Sequence, residues 1–262
     1  MKDYQTISLV HEKGRAVVTL SRPQLHNAFN YTLLEELIDV FTLLESEESV
    51  RIIILTGAGK SFCAGADLNF MKDAAKNSFE QNYEESLRLD DLMQLIYLNP
   101  KPVIAKVNGS AFGGGVGLIA ACDIVIAVDS ARFAFTEVRL GLAPAVISPY
   151  VTAKIGNAAA RELFITGEQF TAEKALLIGL LNAIVPAEKL NSAVDEKVEI
   201  IIKNGPEAIK SIKQMNYENW QLAFPELRHF TAKLIATLRR SKEGQEGMAA
   251  FLEKRKPGWI AE

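Results

Sequence analysis

Residues 111–123 have the sequence AFGGGVGLIAACD, in which small and apolar residues predominate. Four glycines fall within the five positions 113–117, and an apolar run follows them. A helix that begins in a glycine cluster offers free backbone N–H groups and the positive end of its dipole, and the missing side chains let a ligand oxygen approach closely. The same glycines are also typical of tight packing between a helix and a strand. The stretch therefore indicates either a site for a negatively charged oxygen or a close helix contact.

A second loop, residues 61–68 with the sequence SFCAGADL, has the same character. The small residues Ala64, Gly65 and Ala66 follow a strand pattern and precede a short helix that we expect to begin at Asp67. Two such amides converging on one carbonyl oxygen would stabilise the charge that forms during enolisation or acyl transfer. Each loop alone favours simple packing, whereas the two together predict an oxyanion site.

The first half of the chain alternates strand and helix patterns, which predicts an α/β core. β-Branched runs predict four strands, and apolar residues three and four apart predict helices over 31–45 and 79–98, the second ended by Pro100 and Pro102. From about Ala158 onward the pattern is helix after helix, with Thr171 and Pro206 as starts and Gly167 and Gly179 as stops. We predict a core over residues 1–200 and a C-terminal helical region over 201–262, packed together without a linker. The four predicted strands read GRAVVTL, VRIIILTG, KPVIAKVNG and DIVIAVD.

Composition excludes several classes of protein. A formal charge of −3 with scattered basic residues predicts no nucleic-acid partner. No apolar run approaches ~18 residues and the first residues carry an acid, so we expect neither a membrane span nor a signal peptide. The two cysteines, Cys63 and Cys122, are expected to be small buried residues in a reducing compartment, and the protein is expected to be cytoplasmic. We expect no metal, because the three histidines are far apart in sequence.

Two nucleotide-binding motifs fit only in part. TGAGKS, residues 56–61, matches the end of a phosphate-binding loop, but Ile54 stands where its first glycine belongs. GVGLIA, residues 115–120, matches a dinucleotide fingerprint, but the preceding strand is expected to end near Val107, too early for that motif. Asp129, which would be the ribose-binding acid of that motif, also follows the glycines too closely. NAD binding stays only as a minor alternative.

Five segments in order along nearly the whole chain resemble the enoyl-CoA hydratase/isomerase (crotonase) superfamily. This resemblance implies a spiral of repeated ββα units with a C-terminal helical region used in trimer formation, and members commonly pair trimers into hexamers. It also implies an acyl-CoA substrate, with CoA as part of the substrate and no separate cofactor. The segments are LSRPQLHNAFN (20–30), GAGKSFCAGADL (57–68), KPVIAKVNGSAFGGGVGLIAACDIVIA (101–127), FAFTEVRLGL (133–142) and AFLEKRKPGW (250–259).

The resemblance implies roles for particular residues. The oxyanion hole falls on the backbone N–H groups of Ala66 and Gly114, which would hold the thioester carbonyl of an acyl-CoA. The positions that hold CoA in the family fall on two groups of residues here. They are Leu25, His26, Ala64, Asp67 and Leu68 in the two early loops, and Phe251 and Lys254 near the C-terminus, where family members reach the adenine and phosphate end of CoA.

The family's usual pair of catalytic glutamates is incomplete in this sequence. Gly117 stands at the first position, and only Glu137 is retained at the second. Apolar neighbours are expected to raise the pKa of Glu137 and so suit it to acid/base work. One carboxyl can serve water addition, or it can move a β,γ double bond to the α,β position, so the residues leave hydratase and isomerase open.

One segment favours hydration. FTEVRLGLAPAVISPYV, residues 135–151, resembles the methylglutaconyl-CoA hydratases of leucine breakdown, which can have glycine at the position of Gly117. We therefore expect a hydro-lyase for a short or branched enoyl-CoA. The alternatives are an enoyl-CoA isomerase with Glu137 as sole base and a non-catalytic acyl-CoA-binding homologue. Arg139 is expected to form a surface ion pair rather than to contact a substrate carboxylate.

Overall fold

Two sheets form the framework of the chain, which the computed structural model describes from residue 3 to residue 260. The four strands expected from sequence are present as β2, β3, β5 and β7, and the other strands are mostly short. In chain order the strands are β1 (Ile7–Glu12), β2 (Arg15–Leu20), β3 (Ile52–Gly57), β4 (Ser61–Cys63), β5 (Val103–Val107), β6 (Ser110–Phe112), β7 (Ile124–Val128), β8 (Arg132–Ala134), β9 (Phe170–Thr171) and β10 (Ala183–Val185).

The larger sheet has six strands in the order β1-β2-β3-β5-β7-β10. Its strands from β2 to β10 pair in parallel, and only β1 is antiparallel to its neighbour. The six residues of β3 are all buried, as expected for a strand covered on both faces. This sheet holds the greater part of the core.

The smaller sheet has the order β4-β6-β8-β9, with β4, β6 and β8 parallel. Each of these three strands follows directly after a strand of the larger sheet, and a helix comes next along the chain. The units β3–β4, β5–β6 and β7–β8 therefore repeat the ββα pattern that the resemblance implied. The repeat places three strand-to-helix connections side by side at one edge of the smaller sheet.

Ten α-helices lie within residues 3–260, and the expected starts and stops are present. Thr171 accepts a hydrogen bond from the Lys174 amide as the N-cap of α6, and Pro206 is the first residue of α8. Gly167 ends α5 in a left-handed conformation, and Gly179 follows α6 with φ of +84°. The helices are α1 (Tyr31–Ser46), α2 (Leu68–Ala74), α3 (Phe79–Tyr97), α4 (Gly114–Ala121), α5 (Ser148–Thr166), α6 (Ala172–Leu177), α7 (Leu190–Ile201), α8 (Pro206–Gln221), α9 (Phe224–Arg240) and α10 (Lys242–Leu252).

The last three helices carry almost no buried side chains. Neither α8 nor α9 has a buried residue, and α10 buries only Ala250. The division of the chain near residue 200 stays a prediction. Within the described range, no helix is both long enough and apolar enough to cross a membrane.

Candidate active site

The predicted oxyanion residues and Glu137 lie at one edge of the smaller sheet because of its topology. Ala66 comes three residues after β4, Gly114 two residues after β6, and Glu137 three residues after β8. These three strands are adjacent and parallel, so their carboxyl ends meet at the same edge. Three segments far apart in sequence thus line a single cavity.

The peptide group between Gly65 and Ala66 has a defined orientation. The Phe29 amide donates to the Gly65 carbonyl at 2.6 Å, and the Asp67 amide donates to the Phe29 carbonyl at 2.9 Å. Because C=O and N–H point in opposite directions in a trans peptide, the Ala66 N–H points away from Phe29. It has no acceptor within residues 3–260.

Gly113 and Gly114 form the second wall of the cavity, at the start of α4. Gly113 has φ of +50°, a backbone region that favours glycine, and its amide donates to the Ala134 carbonyl at 2.9 Å. Gly114 is the first residue of α4, so its N–H has no partner within the helix. In the described part of the chain this amide has no other acceptor either.

The carboxyl group of Glu137 lies against Gly113. A Cβ atom at Gly113 would be 3.0 Å from Glu137 Oε1, which leaves no room for a side chain between them. Oε2 is buried and has no hydrogen-bond partner among the described residues. Burial raises the pKa of Glu137 above its ordinary value of 4.5, only partly opposed by a backbone hydrogen bond. The expected direction of this shift is therefore confirmed.

The cavity measures about 310 Å³ and is lined mainly by apolar side chains. Glu137 is the only ionisable residue among those that line it in the described chain. Thr136 and Ser86 contribute hydroxyl groups. The apolar lining includes Phe29, Leu34, Phe70, Met71, Leu89, Leu140, Leu142, Pro144, Val146 and Ile147.

The two remaining glycines of the cluster serve packing. A Cβ atom at Gly115 would lie 2.9 Å from Cys63 Cβ and closer still to the Cys63 carbonyl oxygen, so α4 rests directly on β4. At Gly117 the corresponding atom would lie 2.9 Å from Ile147 Cβ. The close helix contact that the glycine cluster predicted is therefore present, and an oxyanion site at Gly114 stays a prediction. Both cysteines are buried, as expected, and burial raises the pKa of each thiol to about 12.

Of the residues expected to hold CoA in the early loops, Ala64 is the one that lines the cavity in the described chain. Its amide donates to the His26 carbonyl at 3.0 Å. His26 has φ of +52°, and its Nδ1 lies 2.9 Å from Ser61 Oγ. The side chains of Leu25 and Leu68 are exposed. Their roles stay predictions.

Asp67 makes an ion pair and two hydrogen bonds that were not predicted from the sequence. Its carboxylate forms an ion pair with Arg22, with 2.9 Å between Oδ2 and Nη2, and its Oδ1 accepts hydrogen bonds from the amides of Asn69 and Phe70. Burial raises its pKa, but the hydrogen bond from Phe70 and the neighbouring guanidinium outweigh burial and hold the pKa below its usual range. A CoA contact of this carboxylate stays a prediction.

Asn27 was also missed from sequence. Its side chain is fully buried and donates to the carbonyls of Ala58 and Ser61 at 2.9 and 2.8 Å, while its Oδ1 accepts from the Arg22 amide. Its neighbours in sequence are His26 and Ala28, and nothing in this segment indicated a buried amide.

The C-terminal residues expected to reach CoA lie outside the cavity lining. Phe251, in α10, is 83% exposed, and Lys254 has φ of +56° just after that helix. Arg139 is exposed on the turn Glu137–Leu140 that carries the cavity carboxyl. It forms no ion pair with any residue from 3 to 260, so the expected surface pair is not found.

The ββα repeats, with a buried carboxyl beside two free backbone amides, define a crotonase-fold enzyme. The sequence model of the enoyl-CoA hydratase/isomerase family matches residues 11–262, and the chain belongs to that family. It is an enzyme of the enoyl-CoA hydratase type.

Individual relatives agree over nearly their whole length. A short-chain-enoyl-CoA hydratase of Clostridium acetobutylicum is 35% identical over 251 residues, 95% of this chain and 95% of that protein. The crystal structure of an enoyl-CoA hydratase from Shewanella pealeana superposes with a TM-score of 0.94 at 39% identity and covers 97% of this chain and 96% of its own. An enoyl-CoA hydratase structure from Mycobacterium smegmatis gives a TM-score of 0.92 at 33% identity, covering 97% and 99%.

Proposed function

We propose that this enzyme adds water to the α,β double bond of a short or branched enoyl-CoA thioester. The observation that carries the proposal is the unpartnered, buried Oε2 of Glu137 in a cavity shared with the free amides of Ala66 and Gly114. An unpaired buried carboxyl is costly, and such groups are concentrated at active sites.

In the proposed reaction the two amides donate hydrogen bonds to the thioester oxygen. This polarisation draws electrons from the double bond and makes Cβ electrophilic. The Glu137 carboxylate accepts a proton from water as the water oxygen bonds to Cβ. The same carboxyl then returns a proton to Cα on the same face, so one molecule of water is added and Glu137 is regenerated.

A specific observation also favours the isomerase alternative. Glu137 is the only carboxyl on the cavity within residues 3–260, and Ile147 occupies the space beside Gly117 where the family's first glutamate would extend. Removing a proton at Cα and returning it at Cγ requires only one base. Isomerisation of a β,γ-enoyl-CoA by Glu137 is therefore the second candidate.

A narrower proposal is that the substrate is 3-methylglutaconyl-CoA, a compound of leucine breakdown, as the resemblance of residues 135–151 suggests. This acyl group carries a carboxylate, and the cavity lining contains no cation in the described chain. Arg139 is the basic residue on the turn that bears Glu137, and within that range it has no ion-pair partner. We propose that it attracts the substrate carboxylate.

We also propose that the chain assembles with further copies of itself. The resemblance suggests a homotrimer or a dimer of trimers, and α8 to α10 leave large apolar side chains exposed. Trp220, Phe224, Phe251 and Leu252 are 68%, 83%, 83% and 79% exposed. Light scattering after size-exclusion chromatography tests this, since a trimer or hexamer supports the proposal and a monomer contradicts it.

Absorbance of the conjugated thioester separates the candidate activities. A hydratase removes the absorbance of crotonyl-CoA, an isomerase creates it from a β,γ-enoyl-CoA, and a non-catalytic homologue binds both without either change. We expect loss of crotonyl-CoA absorbance. For the narrower proposal, Arg139→Gln is expected to lower kcat/KM for 3-methylglutaconyl-CoA about tenfold while sparing crotonyl-CoA, and an equal effect on both substrates contradicts it.

A further inference from the structure

The ion pair between Arg22 and Asp67 is adjacent to the Ala66 peptide. Asp67 is the next residue after Ala66, and Arg22 follows the end of β2. The two side chains are only 11% and 9% exposed. Neither residue is among those that line the cavity, so neither side chain is placed to contact the reacting atoms of a substrate there.

The Arg22 guanidinium contacts both segments that orient this peptide. Nη2 donates to Asp67 Oδ2 at 2.9 Å, and Nη1 donates to the Ala28 carbonyl. Ala28 precedes Phe29, whose amide and carbonyl hold Gly65 and Asp67. One planar cation therefore joins the two strands of backbone that form the isolated bridge between Phe29 and Ala66.

We propose that Arg22, through its ion pair with Asp67, is a positioning residue that aims the Ala66 N–H at the thioester oxygen. This inference rests on the proposed function, because it assigns Arg22 a task only if the Ala66 amide polarises a thioester. It goes beyond that function in placing a determinant of catalysis outside the cavity.

The geometry requires a guanidinium rather than any cation. Arginine presents a rigid planar set of donors that serves two acceptors at once, whereas the lysine ammonium is a flexible point charge. Asp67 also caps α2 through Oδ1, so its carboxylate is fixed on the side away from Arg22 as well. Without the guanidinium, the Ala66 peptide keeps its two backbone hydrogen bonds to Phe29 but loses the side-chain link between Asp67 and the Ala28 carbonyl.

The first test is Arg22→Lys, with Arg88→Lys as the matched control. Arg88 pairs with Glu35 through an exposed contact, where the two side chains are 42% and 57% exposed. We expect Arg22→Lys to lower kcat for crotonyl-CoA about tenfold or more, as for partial loss of an oxyanion donor, and to change KM less than about threefold. Arg88→Lys is expected to change neither. A reduced unfolding temperature with an unchanged kcat overturns the proposal.

The second measurement tests the hydrogen bonding of the thioester oxygen to the oxyanion amides. The infrared carbonyl stretch of bound [1-¹³C]butyryl-CoA, a saturated thioester that is not hydrated, reports polarisation of the thioester oxygen. We expect a shift to lower frequency in the wild type that is reduced in Arg22→Lys. An undiminished shift in Arg22→Lys refutes only the role of Arg22 and leaves the proposed function standing. The absence of a shift in the wild type refutes the oxyanion hole of the proposed function.

A double variant separates positioning from stability. Arg22→Met with Asp67→Asn removes both charges of the pair and keeps an oxygen to cap α2. Replacing both members avoids leaving one buried charge unpaired, so the unfolding temperature is expected to recover relative to Arg22→Met alone. The kcat and the carbonyl shift are expected to remain low, and their recovery together with stability overturns the proposal.

Discussion

The side chain of Ile147 occupies the volume that any side chain at position 117 would need. A Cβ atom at Gly117 would lie 2.9 Å from Ile147 Cβ, nearer still to its Cγ2, and 3.3 Å from Met93 Cε. Ile147 and Met93 are both buried. The packing of α4 therefore leaves no space for the family's first glutamate at position 117, and the side chains that fill this space are apolar.

The first prediction concerns this packing. Gly117→Ala is expected to destabilise the protein by about 1–3 kcal/mol, because overpacking outweighs the gain in helix propensity. Adding Ile147→Ala is expected to relieve the clash, so the double variant should be more stable than the sum of the two single changes. Urea denaturation of the three variants measures this coupling. Strictly additive effects would show that Ile147 does not limit position 117.

A second prediction concerns the contact between Gly113 and Glu137. Gly113→Ala is expected to push the carboxyl away from its position and lower kcat about tenfold or more. Gly156→Ala is a matched control, since Gly156 also has a positive φ, of +75°, but a Cβ there would meet no atom within 4 Å. Both variants should lose stability through backbone strain. Equal kcat values in the two would contradict the assigned contact.

A third prediction concerns Asn27, the buried side chain that joins the early loop to residues 58–61. Asn27→Ala is expected to cost about 2–4 kcal/mol of unfolding free energy, because a fully buried side chain that makes three hydrogen bonds to the backbone is removed. Asn191→Ala, at an exposed position bonded to Lys106, is the control and should change stability by less than about 0.5 kcal/mol. Chemical denaturation distinguishes them, and similar losses would argue against a special role for Asn27.

A fourth prediction follows from the raised pKa of Glu137. A carboxyl whose pKa is higher in the folded than in the unfolded protein destabilises the fold when it ionises, so its penalty is absent at low pH and grows as pH rises through the folded value. Glu137→Gln is therefore expected to be more stable than wild type at neutral pH. This gain should shrink as pH falls through the raised pKa toward 4.5.

Thermal unfolding across that pH range measures the effect. Glu168→Gln, at an exposed position, is the matched control for the same change of side chain. A Glu137→Gln variant less stable than wild type at neutral pH would mean that the carboxylate is stabilised by a partner rather than destabilised by burial.

The α/β core was predictable because its longer strands and helices carry clear periodicity. The six-residue β3 and the 16-residue α1 bury the apolar positions that their patterns indicate, including Leu34, Leu37, Phe41 and Leu44. The smaller sheet was not predictable, because β4, β6 and β8 have three residues each and show no period. Yet these short strands are what bring the site together.

Within the site, Ala66, Gly114 and Glu137 were inferred by resemblance, and the structure places all three on one cavity. The apolar lining was not inferred, since Phe29, Phe70 and Met71 come from loops and from α2, where apolar residues follow no face. Arg22 and Asn27 were likewise hidden. Their function depends on backbone carbonyls that no sequence pattern marks.

The most direct test compares crotonyl-CoA hydration by the wild type and by Glu137→Gln, with Glu168→Gln alongside. We expect Glu137→Gln to hydrate crotonyl-CoA at least about 100-fold more slowly while it binds butyryl-CoA with unchanged affinity and an unchanged carbonyl shift. Glu168→Gln is expected to behave as wild type. Hydration by Glu137→Gln at the wild-type rate would contradict the account.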